Sequence, residues 1–277
     1  MTQRAFQIDV ARLRDQGLGR LRLWHGIALV VMLCLTVAAA QAQTSGEDRQ
    51  TALQTLIVWL PFILKGFLLN LGMSFIAMAL ATVLGVGLGL MQISQLRAVS
   101  MPARYVTHLF RNSPWLVILF MVMFLVPFQF RIPGLGLVSI PDWWKATFAF
   151  ALPVMANISE ILRGAVGSIP KGQWDSAESL AFTRAQTLRW IILPQCVKRM
   201  IPSWMNWYAL LALATPMASI LGVQEAVGNA QAAMEAAGSR PEFLIPFYLF
   251  LMCLFFAYIY PIALWTRKLE MKYAVAN

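Results

Sequence analysis

Five stretches of this chain contain no Asp, Glu, Lys or Arg over about 18 residues or more, the length that an apolar helix needs to cross a bilayer. They are residues 26–46, 66–96, 112–130, 200–224 and 243–266. A sixth, weaker candidate covers about 143–162, where only 146–159 is free of charge and Lys145 can snorkel toward the membrane surface. We therefore predict an all-α integral membrane protein, a polytopic helical bundle with about six transmembrane helices.

The distribution of Lys and Arg predicts how these helices are oriented. A net charge of +10 would suit a nucleic-acid-binding protein, but a chain that is 59% apolar and 12% charged is too apolar for a soluble domain. In a membrane protein, the position of the cationic residues reports topology instead. With the N-terminus in the cytoplasm, seventeen of the 22 Lys and Arg residues fall in cytoplasmic segments. We therefore predict cytoplasmic N- and C-termini, contact with membrane lipid, and no nucleic-acid partner.

The N-terminal part of the chain divides into three segments. Residues 1–23 form a basic, partly amphipathic arm, which we expect on the cytoplasmic membrane surface. Residues 24–61 are predicted to hold an extra helix over 24–41 and an interfacial helix or external elbow over 51–65. The extra helix ends in small residues that also resemble a signal-peptide cleavage site at Ala42, and an uncleaved helix is favoured over cleavage. Residues 62–277 are predicted to form the transmembrane domain.

The longest polar interval between two apolar segments is the loop 164–195, which the charge distribution places in the cytoplasm. Its pattern predicts two short helices with a tight joint at 181–183. Gly172 is predicted to break the chain before the first helix, and Pro194 to end the second helix or to lie just beyond its end. Thr183 and Gln186 have the spacing of a capping box at the start of the second helix.

The first of these two helices carries an apolar face in a segment that topology places in water. Trp174, Ala177 and Ala181 fall at i, i+3 and i+7, with Leu180 beside them. Carboxylates lie early in the segment, where they complement the positive end of the helix dipole. Because so small a unit cannot bury such a face by itself, we expect it to dock onto another protein.

Few polar side chains lie inside the predicted spans. For Asn70, Asn157 and Asn206, interhelical hydrogen bonding is favoured over contact with a substrate. Glu160 and Arg163 are three residues apart and are predicted to pair at the cytoplasmic boundary. The chain shows no catalytic His, Asp or Glu set and no phosphate-binding loop, and its dispersed cysteines and histidines predict neither disulfides nor a metal site. We therefore predict a protein that is not an enzyme.

The dipeptide Thr215-Pro216 interrupts the apolar run 200–224. Proline cannot donate a backbone hydrogen bond, so the carbonyl four residues earlier must find another partner inside the membrane. Ser219 lies one turn beyond Thr215, and we predict that this kinked face lines a translocation pathway.

Two further segments are assigned from composition and spacing. Gly85, Gly87 and Gly89 in the run 66–96 are predicted to allow close helix approach, as small residues do in membranes. Residues 224–242, which carry several charges, are predicted to form an external segment.

From about residue 62 to residue 272, the sequence resembles the permease subunit of an ATP-binding-cassette importer of the polar amino-acid uptake family. The most specific likeness is in the cytoplasmic loop, where the family carries Glu-Ala-Ala, three variable residues and Gly, then Ile-x-Leu-Pro after a spacer. The corresponding residues here are Asp175-Ser176-Ala177, Ala181 and Ile191-Ile192-Leu193-Pro194. Other matching segments are Glu160-Ile161-Leu162-Arg163-Gly164, Ile169-Pro170-Lys171-Gly172-Gln173-Trp174, Phe110-Arg111-Asn112-Ser113-Pro114 and Ala218-Ser219-Ile220-Leu221-Gly222-Val223.

The resemblance implies a type I importer permease in the bacterial inner membrane, with no cofactor, forming half of the pathway for a polar amino acid of acidic or amide type. It implies a separate cytoplasmic ATPase, a second permease copy or paralogue, and a periplasmic substrate-binding protein as partners. The residues it assigns to coupling with the ATPase are Gly172, Trp174, Asp175, Ala177, Glu178, Leu180 and Ala181. The candidates for the translocation pathway are Asn157, Glu160, Thr215, Pro216 and Ser219.

Three departures from the family pattern bear on function. Asp175 stands in place of Glu, and Ala181 in place of the loop glycine, so that bend must be one that alanine tolerates. Leu213-Ala214-Thr215-Pro216 stands where related chains usually carry Lys-Asp-Thr-Ser. The loss of both charges leaves open a subunit that does not bind substrate, within a heteromeric importer. The other alternative is an ion-gradient-driven secondary transporter, for which the expected mid-membrane ionisable residues are scarce here.

Overall fold

The computed structural model describes residues 51–132 and 136–273 as a bundle of long apolar helices, which confirms the predicted helical membrane architecture. One short antiparallel hairpin, not predicted from the sequence, lies in the loop between the second and third predicted spans of this region. The elements are α1 (Ala52–Gln92), α2 (Arg97–Asn112), α3 (Trp115–Leu125), β1 (Gln129–Ile132), β2 (Gly136–Ser139), α4 (Asp142–Gly167), α5 (Lys171–Ser179), α6 (Arg184–Gln186), a π-helical turn (Thr187–Ile192), α7 (Leu193–Ala214), a 3-10 helix (Thr215–Leu221), α8 (Ala226–Ala236), a 3-10 turn (Pro241–Phe243) and α9 (Leu244–Tyr273).

Three helical segments of the described region are long and apolar enough to cross a membrane unaided: α1, α4 and the run Pro241–Lys272. Two bent pairs pass the same test together. They are α2 with α3, bent by 107°, and the run Arg184–Leu221 with α8, bent by 43°. Counting each pair as one span gives five, fewer than the six predicted. The predicted first span, the basic arm and the signal-like site lie outside the described residues.

Helix α1 is continuous over 41 residues and contains Pro61. Of the two alternatives predicted for 51–65, an interfacial helix or an elbow, the elbow is wrong, because the segment is helical and forms the first part of α1. The predicted domain boundary at 61 falls inside this helix. A capping box between Thr51 and Gln54 starts the helix. One face of its first turns is buried against α8 and α9, and this packing outweighs the one hydrogen bond that the proline cannot make.

Residues 97–104 separate the charge-free runs 66–96 and 112–130, and they form the first half of helix α2. The break comes later, at Ser113, whose backbone is extended, followed by Pro114 at the N-cap of α3. A residue before proline is driven out of the helical region by the proline ring, which explains the sharp bend at this point. Helix α3 has eleven residues and is about 16 Å long, shorter than the bilayer core.

The main core lies between α1 and α4. A Cβ added at Gly85 would lie 2.7 Å from the carbonyl oxygen of Met155, and one at Gly89 would lie 2.9 Å from Leu162. A Cβ at Gly87 would meet nothing within 4 Å. The prediction of close approach is therefore confirmed for Gly85 and Gly89 and wrong for Gly87. Gly85 and Gly89 are four residues apart and share the helix face that meets α4, whereas Gly87 lies on another face.

Lys145, near the start of α4, was predicted to snorkel, but its side chain is fully buried. Its ammonium nitrogen lies 3.3 Å from a carboxylate oxygen of Asp142 and 3.5 Å from the centre of the Phe128 ring. A carboxylate and an aromatic face together replace part of the water that the ammonium group loses, so the side chain can stay inside.

Candidate functional site

The cytoplasmic loop forms a helical hairpin, as predicted, although its boundaries differ. Helix α5 begins at Lys171 after an N-cap at Pro170. Gly172 is the second residue of this helix, so the prediction that it breaks the chain is wrong. The residue before the helix, Pro170, has an extended backbone and marks where the helix begins. Gly172 itself is exposed, and a Cβ added to it would meet nothing within 4 Å.

The joint between the two loop helices is at Ala181, whose φ is +59°. The Ala181 N–H donates to the carbonyl of Glu178 at 2.9 Å, and the Phe182 N–H donates to the carbonyl of Ala177 at 3.1 Å. This pair of bonds is a Schellman motif, which satisfies the last carbonyls of α5. The left-handed conformation costs alanine about 1 kcal/mol, and it is the position where the family has glycine.

The predicted capping box starts the second loop helix. The Thr183 N–H donates to Oε1 of Gln186 at 2.8 Å, and the Gln186 N–H donates to Oγ1 of Thr183 at 3.4 Å. The prediction that Pro194 ends this helix is wrong, because the chain continues into α7. A π-helical turn precedes the proline, and such a wider turn accommodates a proline ring inside a continuous helix.

The apolar face predicted on α5 divides into a buried part and an exposed part. Ala177 is buried, and Trp174 is half-buried against a cluster from α4, the π turn and α7. Leu180 is 71% exposed, with the exposed carboxylates of Asp175 and Glu178 on the same short helix. We call Asp175, Glu178 and Leu180 the loop surface. It is held to the bundle by the buried part of the same helix.

The second candidate region is a buried polar cluster where the run Arg184–Leu221 meets α8. The side chain of Asn70 in α1 donates to Oε2 of Glu225 at 2.8 Å and to Oγ1 of Thr215 at 3.0 Å. Its carbonyl oxygen accepts from the N–H of Ala226 at 3.0 Å. The bridging role predicted for Asn70 is confirmed, since its amide joins three parts of the chain.

Glu225 was predicted to be external, and that prediction is wrong, because the residue is fully buried. Its carboxylate caps the N-terminus of α8 by accepting from the N–H groups of Val227 and Gly228, at 3.0 to 3.1 Å. The backbone of α1 passes close by at Gly66, where an added Cβ would lie 2.6 Å from the Glu225 carbonyl carbon. The sequence carried a sign of this role, namely an acidic residue directly before a charge-free run of small residues.

The kink predicted at Thr215-Pro216 is present as a change from α7 into a 3-10 helix. The Thr215 hydroxyl donates at 2.8 Å to the carbonyl of Ala212, the acceptor that Pro216 leaves without a backbone donor. Thr215 is buried in the polar cluster, whereas Pro216 and Ser219 are half-buried. The threonine therefore satisfies the backbone that its proline neighbour frees.

The other two pathway candidates, Asn157 and Glu160, lie on α4, a helix that supplies none of the residues named in this cluster. Asn157 is buried and donates to the carbonyl of Pro153 in its own helix at 2.8 Å. Glu160 accepts two bonds from Arg163, at 2.6 and 3.2 Å, and a longer one from Arg111 at 3.5 Å. The predicted Glu160–Arg163 pair is confirmed, and α2 supplies a second arginine to it.

The chain matches one family model, and the relatives reported below are permease proteins of transport systems. The family model for the binding-protein-dependent transport system inner membrane component matches residues 81–270. This range includes the cytoplasmic loop and, from the polar cluster, Thr215 and Glu225. The chain is 32% identical over 214 residues to the probable amino-acid ABC transporter permease protein YckA of Bacillus subtilis, covering 77% of this chain and 90% of that protein. It is 31% identical over 188 residues to the octopine transport system permease protein OccM of Rhizobium radiobacter, covering 62% and 72%.

Two solved structures share the fold. A crystal structure of an amino acid ABC transporter with histidines has a TM-score of 0.64 at 20% identity, covering 81% of this chain and all of that one. An inward-facing MetNI methionine ABC transporter has a TM-score of 0.60 at 17% identity, covering 77% and 97%. The chain therefore belongs to the family of binding-protein-dependent transport system inner membrane components, as a multi-pass permease subunit of an ATP-binding-cassette importer for amino acids.

Proposed function

We propose that the loop surface is where the cytoplasmic ATPase docks, and that α5 transmits the movement of the ATPase to the bundle. In this family ATP is hydrolysed by a separate subunit. The observation that carries the proposal is the exposure of Leu180 at the C-terminal end of a helix that is anchored by the buried Ala177 and by Trp174, which packs against α4 and α7. A push on the exposed side then moves α5 and the packed helices as one body.

Leu180→Ala is expected to weaken association with the ATPase by about tenfold or more, because burying a leucine side chain stabilises an interface by roughly 1.5–3 kcal/mol. The measurement is the amount of ATPase subunit that co-purifies with the tagged permease, together with uptake into vesicles. Trp190→Ala is the matched control, since Trp190 is also exposed in this region but lies outside the loop surface. Normal ATPase stoichiometry and uptake in Leu180→Ala would contradict the docking site.

We infer that the termini and the cytoplasmic loop lie on the same side of the membrane, from the excess of Lys and Arg in those segments. A cysteine introduced at Ser176 is then expected to react with a membrane-impermeant thiol reagent only from the cytoplasmic side. One introduced at Ser239, in the exposed turn after α8, is expected to react only from outside. Labelling of sealed right-side-out and inverted vesicles measures both, and reversed accessibility would overturn the orientation and the docking proposal together.

We propose that the half-buried side of the kink, at Pro216 and Ser219, borders the route of the substrate. Pro216→Ser restores a backbone donor beside the carbonyl that Thr215 now satisfies, and one helix hydrogen bond is worth about 1 kcal/mol. A conformational equilibrium at the kink would change by roughly fivefold, and we expect a change in uptake rate with unchanged membrane insertion. If both Pro216→Ser and Thr215→Ala transported like the wild type, the kink would be packing alone.

We propose a polar amino acid of the acidic or amide type as the cargo, handled together with a periplasmic binding protein and a second permease copy or paralogue. Relatives of this chain include a probable glutamine ABC transporter permease protein of Bacillus subtilis. The test compares how strongly glutamine, glutamate and arginine stimulate the ATPase activity of the complex in the presence of the binding protein. We expect glutamine or glutamate to stimulate it more than arginine. The absence of charge at 213–216 still allows a subunit that does not contact substrate, and a heteromeric complex on purification would favour that alternative.

A further inference from the structure

A cavity of about 390 Å³ lies on the side of the bundle where α1 and α4 end and the cytoplasmic loop packs against them. We call it the basic cavity. Four cationic side chains line it, together with the indole of Trp174 and apolar residues of α4 and the π turn, and none of the lining residues is an Asp or a Glu. The cationic residues are Arg104, Arg163, Lys171 and Arg184.

Three of these cations are without a carboxylate partner in the part of the chain that the structure describes. Arg163 pairs with Glu160, but no salt bridge there involves Arg104, Lys171 or Arg184. The Arg184 guanidinium lies 5.7 Å from the centre of the Trp174 ring, which holds it at the cavity wall. Several cations around one concave space repel each other unless an anion joins them, so the cavity favours a ligand with negative charge.

The helix that supplies Arg104 indicates where such a ligand comes from. On α2, Met101, Tyr105 and Leu109 are exposed apolar side chains at four-residue spacing, which defines an open apolar strip along the helix. An amphipathic helix with arginines and an exposed apolar strip suits the boundary between lipid headgroups and acyl chains. The cavity therefore lies beside a helix suited to contact lipid.

We propose that the basic cavity binds a phosphate ester, supplied by the headgroup of an anionic glycerophospholipid. The phosphate oxygens accept hydrogen bonds from Arg104, Lys171 and Arg184. The bound group joins the cytoplasmic loop to α2, so occupancy stiffens the connection between the loop and the bundle. The same chemistry on a soluble phosphate ester would fit, and the experiment separates the two sources.

The test measures thermal unfolding of the permease purified in complex with its ATPase, in neutral detergent. The additions are short-chain phosphatidylglycerol, zwitterionic phosphatidylcholine of the same chain length, and soluble glycerol 3-phosphate. We expect phosphatidylglycerol to raise the unfolding midpoint and phosphatidylcholine to leave it unchanged. In Arg104→Gln/Lys171→Gln the affinity for phosphatidylglycerol should fall by about tenfold or more, since the variant removes two charge-assisted hydrogen bonds to the phosphate.

Arg97→Gln/Lys198→Gln is the matched control, because it removes the same charge from exposed residues that do not line the cavity. It should respond to phosphatidylglycerol like the wild type. An equal response of the two double variants would overturn the proposal. Equal stabilisation by glycerol 3-phosphate and by the lipid would assign the site to a soluble ester and overturn the lipid source. Loss of the ATPase from Arg104→Gln/Lys171→Gln with unchanged lipid response would mean that the cavity receives the ATPase instead, and would also overturn it.

Discussion

Glu225→Ala is expected to destabilise the folded permease by about 2–4 kcal/mol, because it removes the cap of α8 and leaves buried donors without an acceptor. The carboxylate accepts from Asn70 and from the first N–H groups of α8, and all of these groups lie inside the bundle. Without it, the donors have neither water nor another acceptor to replace the lost bonds. The break between the 3-10 helix and α8 would then lose its connection to α1. Thermal unfolding and the yield of monodisperse protein in detergent measure the effect.

Glu235→Ala on the same helix is the control, because Glu235 is exposed and its replacement should change stability by no more than about 0.5 kcal/mol. Asn70→Ala should resemble Glu225→Ala in direction, since it removes the residue that bridges Glu225, Thr215 and Ala226. If Glu225→Ala were as stable as Glu235→Ala, the carboxylate would not hold this junction and the structure of the cluster would need revision.

Gly85→Ala is expected to destabilise the contact between α1 and α4 by about 1–3 kcal/mol, the range for forcing extra atoms into a packed core. The new methyl group would lie 2.7 Å from a backbone carbonyl oxygen of α4 and 2.8 Å from the side chain of Ile158. The carbonyl oxygen cannot move without bending α4, and α4 also carries the Glu160–Arg163 pair. We therefore expect a lower unfolding midpoint together with slower uptake.

Gly87→Ala provides an internal control two residues further along the same helix. Its new methyl group would meet nothing within 4 Å, and alanine is the better helix former by roughly 0.5–1 kcal/mol. Gly87→Ala should therefore be neutral or slightly stabilising in the same thermal assay. Equal losses of stability in Gly85→Ala and Gly87→Ala would show that helix propensity or lipid contact, and not the α1–α4 approach, decides the outcome.

Features that depend on residues close together in the chain were predictable from the sequence. Charge-free runs indicated the membrane helices, because a helix can cross the bilayer only if it is long enough and apolar enough, and both properties are read from consecutive residues. The capping box at Thr183 and Gln186 and the pair of Glu160 with Arg163 followed from spacings of three residues, which a helix brings together wherever it lies. Recognition of the family rested on the same kind of local information, in the motifs of the cytoplasmic loop.

Features that depend on which elements pack against each other were decided only by the tertiary structure. Glu225 has the composition of an external residue, but the approach of α1 at Gly66 and the amide of Asn70 make it the buried cap of α8. Periodicity grouped Ala177 with Leu180, whereas the tertiary packing buries the first and leaves the second exposed. A helix pattern defines faces but does not say which neighbour, distant in sequence, will cover each one. For that reason, the sequence by itself determined the spans, the local caps and the family, and only the packing of the helices determined the buried cluster and the exposed loop surface.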